Sequence, residues 1–255
     1  MNLFYNYIDE ETRLEKSRQG QVEYATTMHY IHRFAKAGEK ILEIGAGTGR
    51  YSIALAKEGF DVTAVELVDC NLEILQENSE GLANIESFQG DALDLSRFAD
   101  NTFEVTLVFG PLYHLYDKED VHRAIDEAIR VTKKDGVILT AFLSAYAIMY
   151  NDYLRGNFTD GVGENFTEDY KVKHFEKQLF TGYDIVEFEN LFHGKNVEYI
   201  LTAAVDSILE LAERCRDFSM GEEDFETFLK YHLATCEKRE MLGCSSHLLY
   251  ICRKR

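Results

Sequence analysis

The spacing of apolar residues changes several times along the chain, and each change marks an element. Val22, Tyr24, Met28, Ile31 and Phe34 recur at intervals near three and four, the period of a helix with one buried stripe. Asp9-Glu10-Glu11 could open that helix, and Gly38 ends it. From Lys40 the pattern becomes short apolar strands alternating with helices. Lys40–Ile44, Val62–Val65, Ile85–Phe88, Glu104–Phe109 and Val137–Phe142 read as strands, with Arg50–Glu58, Asn71–Glu77 and Asp120–Thr132 as helices between them. Gly59 falls just past the second helix, where a left-handed cap fits. In Asp120–Thr132, Val121, Ala124, Ile125, Ala128 and Ile129 share one face. This alternation predicts a mostly parallel sheet with helices on both faces, wound by right-handed crossovers.

After Phe142 the rhythm changes. Ser144–Gly163, rich in Tyr, Asn, Asp and Gly and without a clean period, predicts an excursion over the sheet edge. Thr181-Gly182-Tyr183-Asp184 has capping-box spacing ahead of a helix containing Ile185, Phe188 and Leu191. Val197–Ala204 and His247–Ile251 read as strands, Asp206–Arg216 and Glu223–Arg239 as helices.

The segment richest in chemistry is Glu43-Ile44-Gly45-Ala46-Gly47-Thr48-Gly49, between a strand and a helix. Open parallel sheets bind ligands at such carboxyl ends. A dinucleotide fingerprint needs a third glycine where Arg50 stands (Ser52 if counted from Gly47), and a Walker loop needs a terminal Gly-Lys-Ser/Thr, so neither pattern is met. Glu66 ends the second strand about twenty positions after Gly45, the distance at which a carboxylate reaches ribose hydroxyls.

The remaining pattern, E-x-G-x-G-x-G, resembles that of the class I S-adenosylmethionine-dependent methyltransferases, and further motifs extend the likeness from about Lys40 to Phe142. Gly90-Asp91-Ala92 follows the third strand, Val108-Phe109-Gly110-Pro111-Leu112-Tyr113-His114 closes the fourth, and Arg130–Ile138 is similar to the family's R-x-L-K-P-G-G turn, with Lys134-Asp135 in place of Pro-Gly. The resemblance implies S-adenosylmethionine as cofactor and an α/β, Rossmann-like, seven-stranded, mostly parallel sheet with an antiparallel last strand. It further implies that Glu43 supports the glycine loop and the methionine amino group, that Gly45, Ala46, Gly47 and Gly49 form the loop, and that Glu66 takes the ribose. Leu67 would pack on the adenine, Asp91 and Ala92 would read its edge, and Phe109 would lie beneath the sulfonium. One domain, 1–255, is expected: a helical lid over 1–38 with Tyr5, Tyr7, Arg13 and Tyr24 as candidates, a cofactor core over 39–143, an insertion over 144–180 covering the acceptor site, and the rest of the sheet with covering helices over 181–255.

Methyl transfer from a sulfonium needs alignment and water exclusion, with a general base only when the acceptor carries a proton. His114, beside Tyr113 and just past the fourth strand, is the best-placed base; packing over the cofactor or positioning of substrate is the equal alternative. Tyr113, Tyr116, Tyr146, Tyr150 and Tyr153 could wall an acceptor pocket. The other histidines (His29, His32, His122, His174, His193, His232 and His247) show no metal-ligand spacing, so no metal is expected and they read as surface or hydrogen-bonded core residues.

Charge narrows the acceptor. Lys and Arg number 27 against 45 Asp and Glu, a net charge of −18 over 255 residues, which repels nucleic acid and anionic membrane. The chain also lacks the Asn/Asp-Pro-Pro-Tyr/Phe motif of amino-directed nucleic-acid methyltransferases. A small organic acceptor is expected, with no nucleic-acid or membrane partner and a monomer or homodimer. Five cysteines without a C-x-x-C pair, and a start without signal-peptide order, point to the cytoplasm. Two rivals stay open: a non-catalytic S-adenosylmethionine-binding protein, and another nucleotide-dependent enzyme such as a reductase.

Overall fold

The structure is a computed structural model describing residues 13–176, 178 and 180–255. Tyr5, Tyr7, the acidic triplet at 9–11 and the side chain of Arg13 lie outside the described residues. Helix α1 spans Arg18–Phe34 and starts at Ser17, whose hydroxyl accepts from the Gly20 amide. The alternation follows as β1 (Lys40–Ile44), α2 (Arg50–Lys57), β2 (Asp61–Glu66), α3 (Asp69–Asn78), β3 (Ile85–Gln89), β4 (Phe103–Val108), α4 (Lys118–Val131) and β5 (Thr132–Ser144). Beyond it lie α5 (Phe158–Asn165), β6 (Gly182–Tyr183), α6 (Ile185–Asn190), β7 (Val197–Ala204), α7 (Leu209–Glu213), α8 (Glu222–Thr235) and β8 (His247–Lys254). No described helix is long and apolar enough to cross a membrane.

The sheet runs β3-β2-β1-β4-β5-β8-β7, as expected seven strands long, with β8 antiparallel to both neighbours. An eighth strand, the two-residue β6, pairs with the end of β5. β1 and β4 are almost wholly buried, as strands covered by helices on both faces must be. Helix α4 presents the expected stripe, with Val121, Ala124, Ile125, Ala128 and Ile129 buried, and Asp117 caps it by accepting from the Glu119 amide. Arg130, from the motif-like turn, bonds the Phe98 and Leu95 carbonyls and the Glu127 and Asp100 carboxylates, clamping the loop before β4 to α4. With Lys134-Asp135 in place of Pro-Gly, β5 begins early at Thr132, and Asp135 takes φ 64.

Three expectations need correction. The excursion at 144–163 is largely helical: a short helix, a π-turn over Met149–Tyr153, then α5. A π-turn inserts one residue into the helical repeat, which erases the period a sequence reading relies on. The capping residue before α6 is Asp184, accepting from Val186 and Glu187, whereas Gly182–Tyr183 is strand. The helices expected over 206–216 and 223–239 are shorter, namely α7 and α8.

Candidate active site

Strand order reverses at β1 and β4: from β1 the chain builds toward β3, from β4 toward β5. Their diverging loops leave a crevice at the carboxyl ends, the place where such sheets bind ligands. A cavity of about 710 Å³ occupies it. Glu43, Gly45, Ala46, Gly47, Glu66, Leu67, Asp91, Ala92, Phe109, Tyr113 and His114 all contribute to its wall.

The glycine loop is tightly folded upon itself. The amides of Gly45 and Ala46 both donate to the Val65 carbonyl (2.8 and 3.1 Å), the Gly47 amide to Glu66 Oε2 (2.7 Å), and the Gly49 amide to the Ala46 carbonyl (2.9 Å). A phosphate cradle needs such amides pointing at the ligand; here four of them are spent inside the protein. Gly45 has φ 80, and a Cβ there would lie 2.4 Å from the Phe109 carbonyl oxygen, so only glycine lets the β1 and β4 loops meet. Gly49 does not reach the cavity. It caps α2 at φ 88, and its Cβ would lie 2.8 Å from Leu75.

Two buried carboxyls sit behind and beside this loop. Glu66 accepts from Gly47 on Oε2 and from Val68 on Oε1 (2.8 Å), and burial raises its pKa against the pull of those bonds and one from Asn71. These bonds fix the direction of a carboxylate that lines the cavity. Glu43 is almost fully enclosed and accepts a very short bond from the Ser52 hydroxyl; burial pushes its pKa up to about 8, the Ser52 bonds oppose this, and Glu66 adds a smaller upward push. Asp91 closes its own turn by accepting from the Leu93 amide (3.0 Å), and half-exposed Leu67 lies at the cavity mouth.

The opposite wall is aromatic on one side. The His114 ring lies 5.1 Å from Tyr113 and 5.2 Å from Phe180, and the Thr181 amide donates to the Tyr113 carbonyl, fastening that segment to the loop after β4. Of the five tyrosines expected around the mouth, Tyr113 and Tyr153 line the cavity; Tyr116, Tyr146 and Tyr150 are exposed and outside its lining. Tyr24 also stands back, stacked on Tyr51 with the Arg50 guanidinium above it.

Sequence reasoning missed the polar side of this wall. Gln19 and Glu23 of α1, with Ser246 and His247 at the start of β8, line the same cavity. His247 pairs with Leu143 at the end of β5, because an antiparallel strand begins where its parallel neighbours finish. Its Nδ1 lies 2.7 Å from Asp206 Oδ2, and Asp206 is completely buried. Burial acts to raise the Asp206 pKa, but the His247 charge and bonds from His247, Ser245 and Gln19 outweigh it and hold the carboxyl below the ordinary aspartate range. Glu23, Asp206 and His247 are close enough together to share a cation. However, both Asp206 oxygens already accept from protein donors, which favours a hydrogen-bonded cluster over a metal centre. The antiparallel last strand expected from the sequence already puts its first residue, His247, at this end of the sheet; nothing local marks Asp206.

Residues 41–136 match the family model described as a methyltransferase domain. A Geobacillus sp. (strain WCH70) protein provisionally named a methyltransferase is 34% identical over 119 residues, covering 46% of this chain and 47% of that one. The demethylmenaquinone methyltransferase of Paenarthrobacter aurescens (strain TC1) is 34% identical over 125 residues, covering 47% and 46%. The chain thus spans about half the length of the curated relatives it matches. A crystal structure of a SAM-dependent methyltransferase from Methanosarcina mazei superposes with a TM-score of 0.59 at 18% identity over 88% of this chain and 96% of that one, a likeness of fold.

Proposed function

Starting from a chain whose residues 41–136 belong to the class I S-adenosylmethionine-dependent methyltransferases, we propose that it transfers a methyl group to a small organic acceptor. The observation that carries this reading is the glycine loop whose amides are consumed by Val65, Glu66 and Ala46. Such a loop suits a nucleoside joined to an amino acid, without pyrophosphate, and weighs against a reductase.

In this reading Glu66 receives the ribose hydroxyls, Leu67 covers the adenine, and Asp91 with the Ala92 amide meets its edge. Glu43 and the loop of Gly45, Ala46 and Gly47 hold the amino-acid end, and Gly49 acts by keeping the loop packed on α3. When bound, S-adenosylmethionine supplies an electrophilic methyl on a sulfonium whose sulfur leaves neutral. The protein's own contribution is alignment and exclusion of water. Phe109, Tyr113 and His114 wall the space between cofactor and acceptor, and their electron-rich faces favour a cation nearby. Helix α1, through Gln19, Glu23 and Thr27, covers the crevice as a lid, while 144–180 shapes the acceptor end.

The aromatic wall and the relatives named for demethylmenaquinone both support a planar aromatic acceptor. The charge of −18 supports a small molecule over nucleic acid, and five free cysteines fit a reducing cytoplasm. A screen with methyl-labelled S-adenosylmethionine over phenols, thiols, amines and carboxylates tests the proposal: turnover with one class is expected. Cofactor binding without turnover on any of them would instead leave a sensor or sequestering protein.

A further inference from the structure

The polar knot between α1 and β8 has a chemical consequence of its own. Asp206 Oδ1 accepts from the Ser245 hydroxyl (2.6 Å) and from the amides of Ser246 (3.0 Å) and His247 (3.2 Å). Its Oδ2 accepts from Gln19 Nε2 (2.9 Å), leaving the contact with His247 Nδ1 at 2.7 Å. A carboxyl surrounded by that many donors is ionised, because a proton on either oxygen would face another hydrogen. His247 Nδ1 must therefore carry its ring proton toward Asp206. In the neutral imidazole the basic lone pair then belongs to Nε2. His247 is one of the residues that line the cavity, at the same end of the sheet as the loops after β1 and β4.

We propose that His247 is the general base of the transfer and that the acceptor is protic, a phenol, enol or thiol; this rests on the methyltransferase reading above. The acceptor's O–H or S–H bond breaks and its proton passes to Nε2. The electron pair left on that atom forms the bond to the methyl carbon, as the carbon–sulfur pair returns to sulfur. The imidazolium so formed is held between Asp206 and Glu23, whose Oε2 lies 3.8 Å from Nδ1, and later yields its proton to water. Gln19 bridges the two carboxylates, donating to Glu23 Oε2 (3.1 Å) as well as to Asp206. Asp206, Gln19 and Glu23 are thus positioning residues, and His247 is the catalytic one. The His114 ring, on the same cavity, is flanked by Tyr113 and Phe180.

H247N tests this without dismantling the knot, since its amide retains a donor where Nδ1–H stands and removes Nε2. Wild type and variant would be compared for methyl transfer from labelled S-adenosylmethionine to 4-methoxyphenol, phenol, thiophenol and 4-nitrophenol, with cofactor affinity read by calorimetry. The expected result is a loss of turnover of about 100-fold on the weakly acidic phenols, the scale of a missing general base. That loss should shrink toward 4-nitrophenol and thiophenol, the two acidic probes already partly ionised near neutral pH, with cofactor affinity unchanged. An equal loss on all four probes, no loss, or no transfer to any of them despite cofactor binding would overturn the base assignment. Failure of the wild type to bind S-adenosylmethionine would instead sink the underlying methyltransferase reading. Nitrogen NMR of the ligand-free protein gives a check independent of activity: the proton of neutral His247 should reside on Nδ1, and the opposite tautomer would contradict the proposal.

Discussion

The crevice has two walls built on different plans. The wall proposed for the cofactor comes from β1, β2, β3 and β4, where each motif is a few consecutive residues and much of the positioning falls to backbone: Gly47 to Glu66, Gly45 against the Phe109 carbonyl. The wall proposed to face the acceptor gathers Gln19, Glu23, Asp206, Ser245 and His247 from both ends of the described chain and fastens them through side chains, with one buried carboxylate at the centre. A wall made of local motifs leaves a pattern in sequence. One made of long-range side-chain contacts carries the individuality of the site and leaves almost none.

The largest expected effect attacks the second wall. Asp206→Ala removes a buried charge that organises two elements, and breaking such a site costs about 3–5 kcal/mol of folding stability. Urea denaturation would show it; a loss below about 1 kcal/mol, the worth of an ordinary hydrogen bond, would mean that the carboxylate organises little. On the first wall, Glu66→Ala should weaken S-adenosylmethionine binding by about 1.5–3 kcal/mol, the scale of charge-assisted hydrogen bonds, and unchanged calorimetric affinity would remove the ribose assignment.

Glu43 sharpens the comparison through pH. Its folded pKa of about 8 lies above the ordinary 4.5. Between those values the native state keeps a proton that the unfolded chain has lost. Stability therefore falls as pH rises through that window, by up to about 1.4 kcal/mol per pH unit, and levels off above it. Glu43→Gln abolishes this slope, so its stability relative to wild type should grow between about pH 5 and pH 8. Parallel denaturation profiles for the two proteins would show that Glu43 does not titrate in this way. The smallest effect is expected at His114, whose surroundings are aromatic. His114→Ala should slow turnover roughly tenfold, about 1.4 kcal/mol of barrier, with cofactor affinity retained. Full activity would reduce its ring to packing.

How much of this was legible in the sequence follows from the same division. The strands β1 to β5, the winding and the gathering of the first wall's residues around one cavity could be read because each follows from a short apolar run and the turn after it. Gly49 shows the limit even there: its place in the motif is readable, but its role, clearance for Leu75, belongs to packing. Past Phe142 the π-turn at 149–153 hid the helical period, and β6 is too short to leave a pattern. His247 stood in a strand already recognised, but its partner Asp206 lies 41 positions earlier and adjoins it only because β7 and β8 pair antiparallel.

Titration of the protein with S-adenosylmethionine and, separately, with NADH in a calorimeter probes the central claim most directly. Saturable binding of the sulfonium nucleoside, weakened by Glu66→Ala, with no heat from NADH is the predicted result. Binding of NADH at this crevice, or none of S-adenosylmethionine, would contradict it.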